Sequence, residues 1–245
     1  MNHSQILILT FPLNKKIIYL FLHKHPYSPF IPKDATKLIV GTLPPPRFST
    51  GNLKNGDVNF CYGSVDGQLW KILDAIFRLR LVFETTEFAI QQRKDFLSKN
   101  NIGICDIVAS CERKKIDASD IGMENIQLRD MLYFLKKNKN IHTLLLTGGN
   151  SKNGPEYHLR RLLKEQQIVL DPIVQEIPRI HEFKIANKRK IKVVSLTAPS
   201  GSANRAIGSN PTYKALKIKN PAYNTFDFRV AQYKPYFTNF RSLNP

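Results

Sequence analysis

The chain has 245 residues, 42% of them hydrophobic, with 37 Lys and Arg against 19 Asp and Glu, a net charge of +18 and an isoelectric point near 9.9. That length suits one α/β domain or two small ones with a full core, and the charge predicts a polyanion as partner, with nucleic acid first and an anionic membrane surface second. The three cysteines, Cys61, Cys105 and Cys111, are odd in number and lack C-x-x-C spacing. They exclude a disulfide framework, a zinc finger and a four-thiolate iron–sulfur cluster, and predict a reduced, cytoplasmic setting. The longest N-terminal apolar piece, Ile17 to Leu22, is far too short to span a bilayer, and Pro12, Asn14, Lys15 and Lys16 break up any leader-like stretch.

In chain order, residues 1 to 24 hold two short apolar runs, read as a strand pair or an accessory helix, and form an extension packed on a domain that runs from 25 to 245. His23, Lys24, His25 and Lys33, among Pro26, Pro29 and Pro32, read as a solvated basic loop. Leu38–Val40 is a buried strand ending at Gly41, and Pro44, Pro45 and Pro46 forbid helix and ladder pairing beyond it. The chain must leave the sheet there as a stiff loop, at the strand end where open α/β folds hold their ligands. Phe48 to Asn59 reads as an exposed loop. A helix over Gln68 to Leu81 follows, capped by Asp66.

Thr86 to Asn100 is predicted helical, with Phe88, Ile90 and Phe96 inward and Gln, Arg and Lys outward. Ile102 to Ala109 is an apolar run, a strand or a strand-to-loop segment, and Asn125 to Lys139 an amphipathic helix. Ile141 to Thr147 is a buried strand closed by Gly148-Gly149-Asn150-Ser151. Pro155 opens a helix to about Gln166. Ile168 to Val174 is ambiguous. Ile180–Ile185 and Ile191–Leu196 form a hairpin with a basic tip that includes Lys188 and Arg189. Ala198 to Pro211 is a loop, and Thr225 to Tyr236 the last helix. Strands alternating with helices predict a single three-layer α/β domain with a mainly parallel central sheet and helices on both faces.

Three stretches carry chemistry. Leu38 to Trp70 contains G-x-x-P, then F-x-Y-G-S, then W-K-I-L. Gly103 to Asp120 reads GICDIVASCERKKIDASD, and Leu196 to Ala206 reads LTAPSGSANRA. In this order they resemble the motif blocks of the uracil-DNA glycosylase superfamily, closest to the hypoxanthine-DNA glycosylases and the mismatch-specific uracil(thymine)-DNA glycosylases. The resemblance spans most of residues 25 to 235. It implies a DNA glycosylase of uracil-DNA glycosylase-like fold acting on double-stranded DNA. No lysine stands where a Schiff-base nucleophile would, so the enzyme is expected to be monofunctional, and a monomer away from membranes, without cofactor, metal or iron–sulfur cluster, is expected.

Under that resemblance, Tyr62 stacks on a base flipped out of the duplex, with Phe60 beside it or in the core, and an aromatic face is worth roughly 1–3 kcal/mol per stacked base. Backbone N–H groups around Thr42, Leu43 and Tyr62, together with Asn150, read the base edge. Pro199 to Arg205 forms the DNA-insertion loop, with Ser200, Gly201, Ser202, Asn204 and Arg205 on phosphates or in the emptied stack, and Arg47, Lys188 and Arg189 as further DNA contacts.

The positions that usually orient the attacking water hold Leu43 and Gly67 here. That leaves Asp66, and secondarily Asp106, as catalytic candidates. Gly67 either weakens the enzyme or enlarges the pocket for a bulky modified base. The substrate is then a deaminated base (hypoxanthine or uracil) or a bulky modified cytosine of phage DNA. A catalytically weak or inactive DNA-binding relative is the alternative. A nuclease lacks the carboxylate cluster that a metal pair needs.

Overall fold

A computed structural model describes residues 6–9 and 18–238. The strands are β1 (Ile6–Leu9), β2 (Ile18–Lys24), β3 (Lys37–Gly41), β4 (Ile102–Asp106), β5 (Val108–Arg113), β6 (Glu124–Leu128), β7 (Thr143–Leu146), β8 (Asp171–Val174), β9 (Arg179–Lys184) and β10 (Lys190–Ser195). The helices are α1 (Pro46–Thr50), α2 (Leu69–Phe77), α3 (Glu87–Lys99), α4 (Met131–Lys137), α5 (Pro155–Glu165), α6 (Asn204–Ser209), α7 (Pro211–Lys219) and α8 (Thr225–Thr238).

A six-stranded sheet runs β4-β3-β7-β10-β9-β8. Its first four strands are parallel, and β9 and β8 extend it antiparallel. The two-residue alternation of side chains sorts each strand between two cores. Leu38, Val40, Leu144, Leu146 and Val193 meet Met131 and Leu135 of α4 and Leu159 and Leu163 of α5 on one face. Ile39, Leu145 and Val194 meet Trp70 and Leu73 of α2, Phe96 and Leu97 of α3, and Tyr233 and Phe237 of α8 on the other. The result is a three-layer α/β domain, as the alternation of strand and helix patterns predicts.

A second, four-stranded antiparallel sheet, β1-β2-β5-β6, joins the first through the single residue Ile107 between β4 and β5. Of the two readings for residues 1 to 24, β1 and β2 form the strand pair rather than an accessory helix, and residues 1–5 and 10–17 of that stretch lie outside the described residues. Several local expectations give way to tertiary pairing. The helix expected over Asn125 to Lys139 is the strand β6 followed by α4, because Ser110 and Glu112 of β5 pair Gln127 and Glu124. Asp130 then caps α4 by accepting from the Tyr133 N–H.

Pro46 does not forbid helix; it sits at the first position of α1, where its missing N–H costs nothing. In α3, Phe88 is 62% exposed, whereas Arg93 is fully buried between Trp70 and Phe83. The stretch expected to be a loop after Ala198 contains α6, and α7 follows with Asn210 as N-cap.

Candidate functional site

The carboxyl ends of β3, β4, β7 and β10 converge on one edge. Gly41 ends β3 beside Asp106, which ends β4. The Gly41 N–H donates to Asp106 Oδ1 at 3.2 Å. His25 lies on the other side of the same carboxyl group, with Nε2 2.8 Å from Oδ2. His25 Nδ1 accepts the Tyr27 N–H, so the proton resides on Nε2 and is donated to Asp106. The expected solvated loop of histidines is thus corrected: the His25 side chain is covered and His23 is buried, His23 holding Arg113 Nε at 2.9 Å. Burial, then the Arg113 charge, pushes His23 down to about 3.

Tyr62 reaches into this edge from the loop before α2. Its hydroxyl lies 2.9 Å from Thr147 Oγ1 at the end of β7, and Thr147 donates in turn to Val40 O. A Cβ on residue 41 would collide with the phenol, so only glycine leaves room for it. The Tyr62 backbone is in the left-handed region at φ +58°, a conformation of real cost for an aromatic residue. Burial, and next the neighbouring Asp106, push the phenol pKa well up. Phe60 is core, packed among Tyr27, Phe30 and Trp70.

Thr42 follows Gly41 and donates from Oγ1 to Asp120 Oδ1 at 2.8 Å. Asp120 had not been singled out as a site residue, although it closes the second motif block. Asn153, beyond β7, donates to Asp120 O and Met123 O and locks that loop to the edge. Leu43 packs on the core, and Asn150 is exposed on the loop after β7.

Asp66 lies elsewhere. It does not cap α2, whose N-cap is Gln68. It is 62% exposed and pairs with Lys54 at 3.1 Å and Arg47 at 3.2 Å. Arg47, expected on DNA, is clamped by Asp57 through two bonds of 2.7 and 2.9 Å and by Ser64. Asp57 is fully buried and also accepts from the N–H groups of Lys54 and Val65. Burial alone would raise it, but Arg47 and these amides hold it low. This network ties down the stretch expected to be an exposed loop. A Cβ on Gly67 would meet Ser64 O at 3.1 Å, so a side chain there needs only a small shift.

The Pro199–Arg205 loop borders the same edge, since Gln68 N–H donates to Pro199 O. It is held from below by α8. Buried Arg229 donates to Ala198 O and Ser200 O, Tyr233 donates to Thr197 O, and Gln232 accepts from the Thr197 N–H. Sequence reasoning missed these anchors, which lie about 30 residues downstream. Ser200 and Ser202 hydroxyls meet at 2.8 Å, and Gly201, Ser202, Asn204 and Arg205 are exposed.

Lys188 and Arg189 are not on this edge. Their turn lies at the amino end of β10, the opposite end of the sheet, about 20 Å away at roughly 3.3 Å per residue. Arg189 is bonded to Leu135, Asn138 and Lys139 carbonyls at the end of α4.

Among the described residues, no group of three or more His, Cys, Asp or Glu is arranged to hold a metal, and no helix is long and apolar enough to cross a membrane. The three cysteines are buried and free. No family model matches the chain, and no curated protein matches it.

Proposed function

We propose that the chain is a monofunctional DNA glycosylase, which flips a damaged or modified base out of double-stranded DNA, hydrolyses its N-glycosidic bond and leaves an abasic site. One observation carries this reading. An aromatic side chain is laid across a glycine at the carboxyl end of the central parallel sheet, against a donor-bound carboxyl group and beside an exposed basic loop. That arrangement supplies the parts the chemistry needs: a wall for a flat base, a fixed acidic group for the positive charge that develops on the sugar, and a segment to fill the vacated stack.

The net charge of +18 supports a duplex as partner. Asp106 is better placed than Asp66 to act on sugar or water, because it shares the edge with Tyr62 while Asp66 is paired with surface cations. The substrate is a deaminated base or a bulky modified cytosine, and the enzyme works as a cytoplasmic monomer without cofactor.

The test is release of free base from duplexes carrying hypoxanthine, uracil or a glucosylated cytosine. Release is expected from at least one. Intact duplex binding with no release from any of them would overturn the reading and leave a DNA-binding relative, which the absent side chain at Gly67 favours.

A further inference from the structure

Asp120 is the titratable group at this edge that the reading above leaves unused. It sits on the loop after β5, with its carboxyl group bonded to Thr42 Oγ1 at 2.8 Å, one residue beyond the glycine that Tyr62 covers. Its backbone is pinned by Asn153 from the far side of the edge. Asp106 and Asp120 therefore flank the end of β3, in unlike surroundings. Asp106 accepts from His25 and from the Gly41 amide. Asp120 has a single hydroxyl partner, in a half-buried place. Two carboxyl groups held apart in this way can divide acid work from electrostatic work.

We propose that Asp120 is a catalytic general acid, giving its proton to the departing base while Asp106 faces the sugar. The proposal rests on the glycosylase reading. In the step, the C1′–N bond breaks with its electron pair remaining on the base, and the Asp120 proton moves to the base. A water oxygen bonds to C1′, its surplus proton passes to solvent, and Asp120 is reprotonated from solvent. Uracil and hypoxanthine leave comparatively well as anions, whereas a cytosine derivative leaves poorly unless protonated. An acid at this place therefore points to a cytosine-type base as the substrate class.

The surroundings suit the role. Burial pushes Asp120 up to about 6. The groups facing it are Thr42 and Arg113, which lower it, and Asp106, which raises it; Cys111 of β5 is also near. The carboxyl group can thus hold a proton close to neutral pH, as an acid must.

Base release from the same three duplexes, followed from pH 5 to 8, tests this. The wild-type rate should fall tenfold per pH unit above a midpoint near 6. Asp120→Asn should lose that limb and be slowed by about 100-fold or more at pH 5, most strongly on the cytosine derivative, with duplex binding retained. Thr42→Val removes the bond that favours the charged form, so it should move the midpoint upward. Wild-type release with an Asp120→Asn profile that matches it, in rate and shape, overturns the acid role alone. No release by the wild type from any duplex overturns both this role and the glycosylase reading.

Discussion

A Cβ on Gly41 would collide with the hydroxyl of Tyr62 and would lie 2.9 Å from Asp106 Oδ1. A strand end, an aromatic wall and an acidic group are therefore coupled through one missing methyl group. Gly41→Ala should push the phenol out, break its bond to Thr147 and destabilise the fold by about 1–3 kcal/mol through overpacking. Urea denaturation reads the stability and base release reads the function. Tyr62→Phe keeps the wall and loses only the Thr147 bond, at about 1 kcal/mol. It should release base far better than Tyr62→Ala, which loses the stacking face.

The Arg47 network separates two aspartates that the sequence sets nine residues apart. Asp57→Ala leaves a guanidinium and two amides without their acceptor, and should cost about 3–5 kcal/mol in urea denaturation. Asp66→Ala, in exposed ion pairs, should stay within about 0.5–1 kcal/mol of wild type. Base release by the stable Asp66→Ala protein should persist, while Asp106→Asn should lose it; the reverse pattern would return the water-orienting role to Asp66.

Arg229 predicts how the Pro199–Arg205 loop depends on α8. Replacing it by methionine keeps much of the buried stem and removes three donors to Ala198, Ser200 and Thr225 carbonyls. Duplex affinity should fall, with little change in chemistry once DNA is bound, a pattern that single-turnover kinetics would resolve. Raised KM-type behaviour with an unchanged maximal rate is the expected outcome.

Arg205 predicts a different readout. It is exposed on α6 beside that loop, so Arg205→Ala should weaken binding for all duplex sequences and lower the slope of log affinity against log salt by about 1. Lys188→Ala, at the opposite end of the sheet, should leave that slope unchanged.

Two buried histidines predict acid lability. Burial holds His23 at about 3 and His158 at about 4, whereas each takes a proton near 6.5 when unfolded. The unfolded chain therefore binds more protons between those values, and stability must fall as pH drops below 6.5. At pH 5 each histidine removes about 2 kcal/mol. Asp120 works in the other direction, because its folded value is raised, and it returns about 1.5 kcal/mol by that pH. Urea midpoints at pH 7 and pH 5 should show the net loss, and His158→Leu should reduce it.

Where structure follows local chemistry, the sequence was readable. Pro155 opens α5, the LLL run of β7 is buried on both faces, and the β9–β10 hairpin closes around its basic turn. Tyr62 and the Pro199–Arg205 loop both lie at the carboxyl end of the central sheet. What could not be read depends on distant partners. Glu124–Leu128 becomes a strand because β5 pairs it. Asp57, in a polar stretch, is buried because Arg47 reaches it. α7 buries no residue and has no apolar stripe to betray it. Asp120 gains its character only when the end of β3 is brought beside it. Arg93 lies inside because two aromatic rings accept its flat face, which no helical periodicity encodes.

The single-residue seam at Ile107 makes the small sheet more than an appendage. His25 follows directly on β2, so the grip on Asp106 is delivered by a strand whose own hydrogen bonds run to β5, just across that seam. A chain trimmed to begin after residue 24 would keep the six-stranded sheet yet forfeit the strand that aims this imidazole. What reads on paper as an extension packed on the domain is, mechanically, the arm that holds the imidazole of His25 against Asp106.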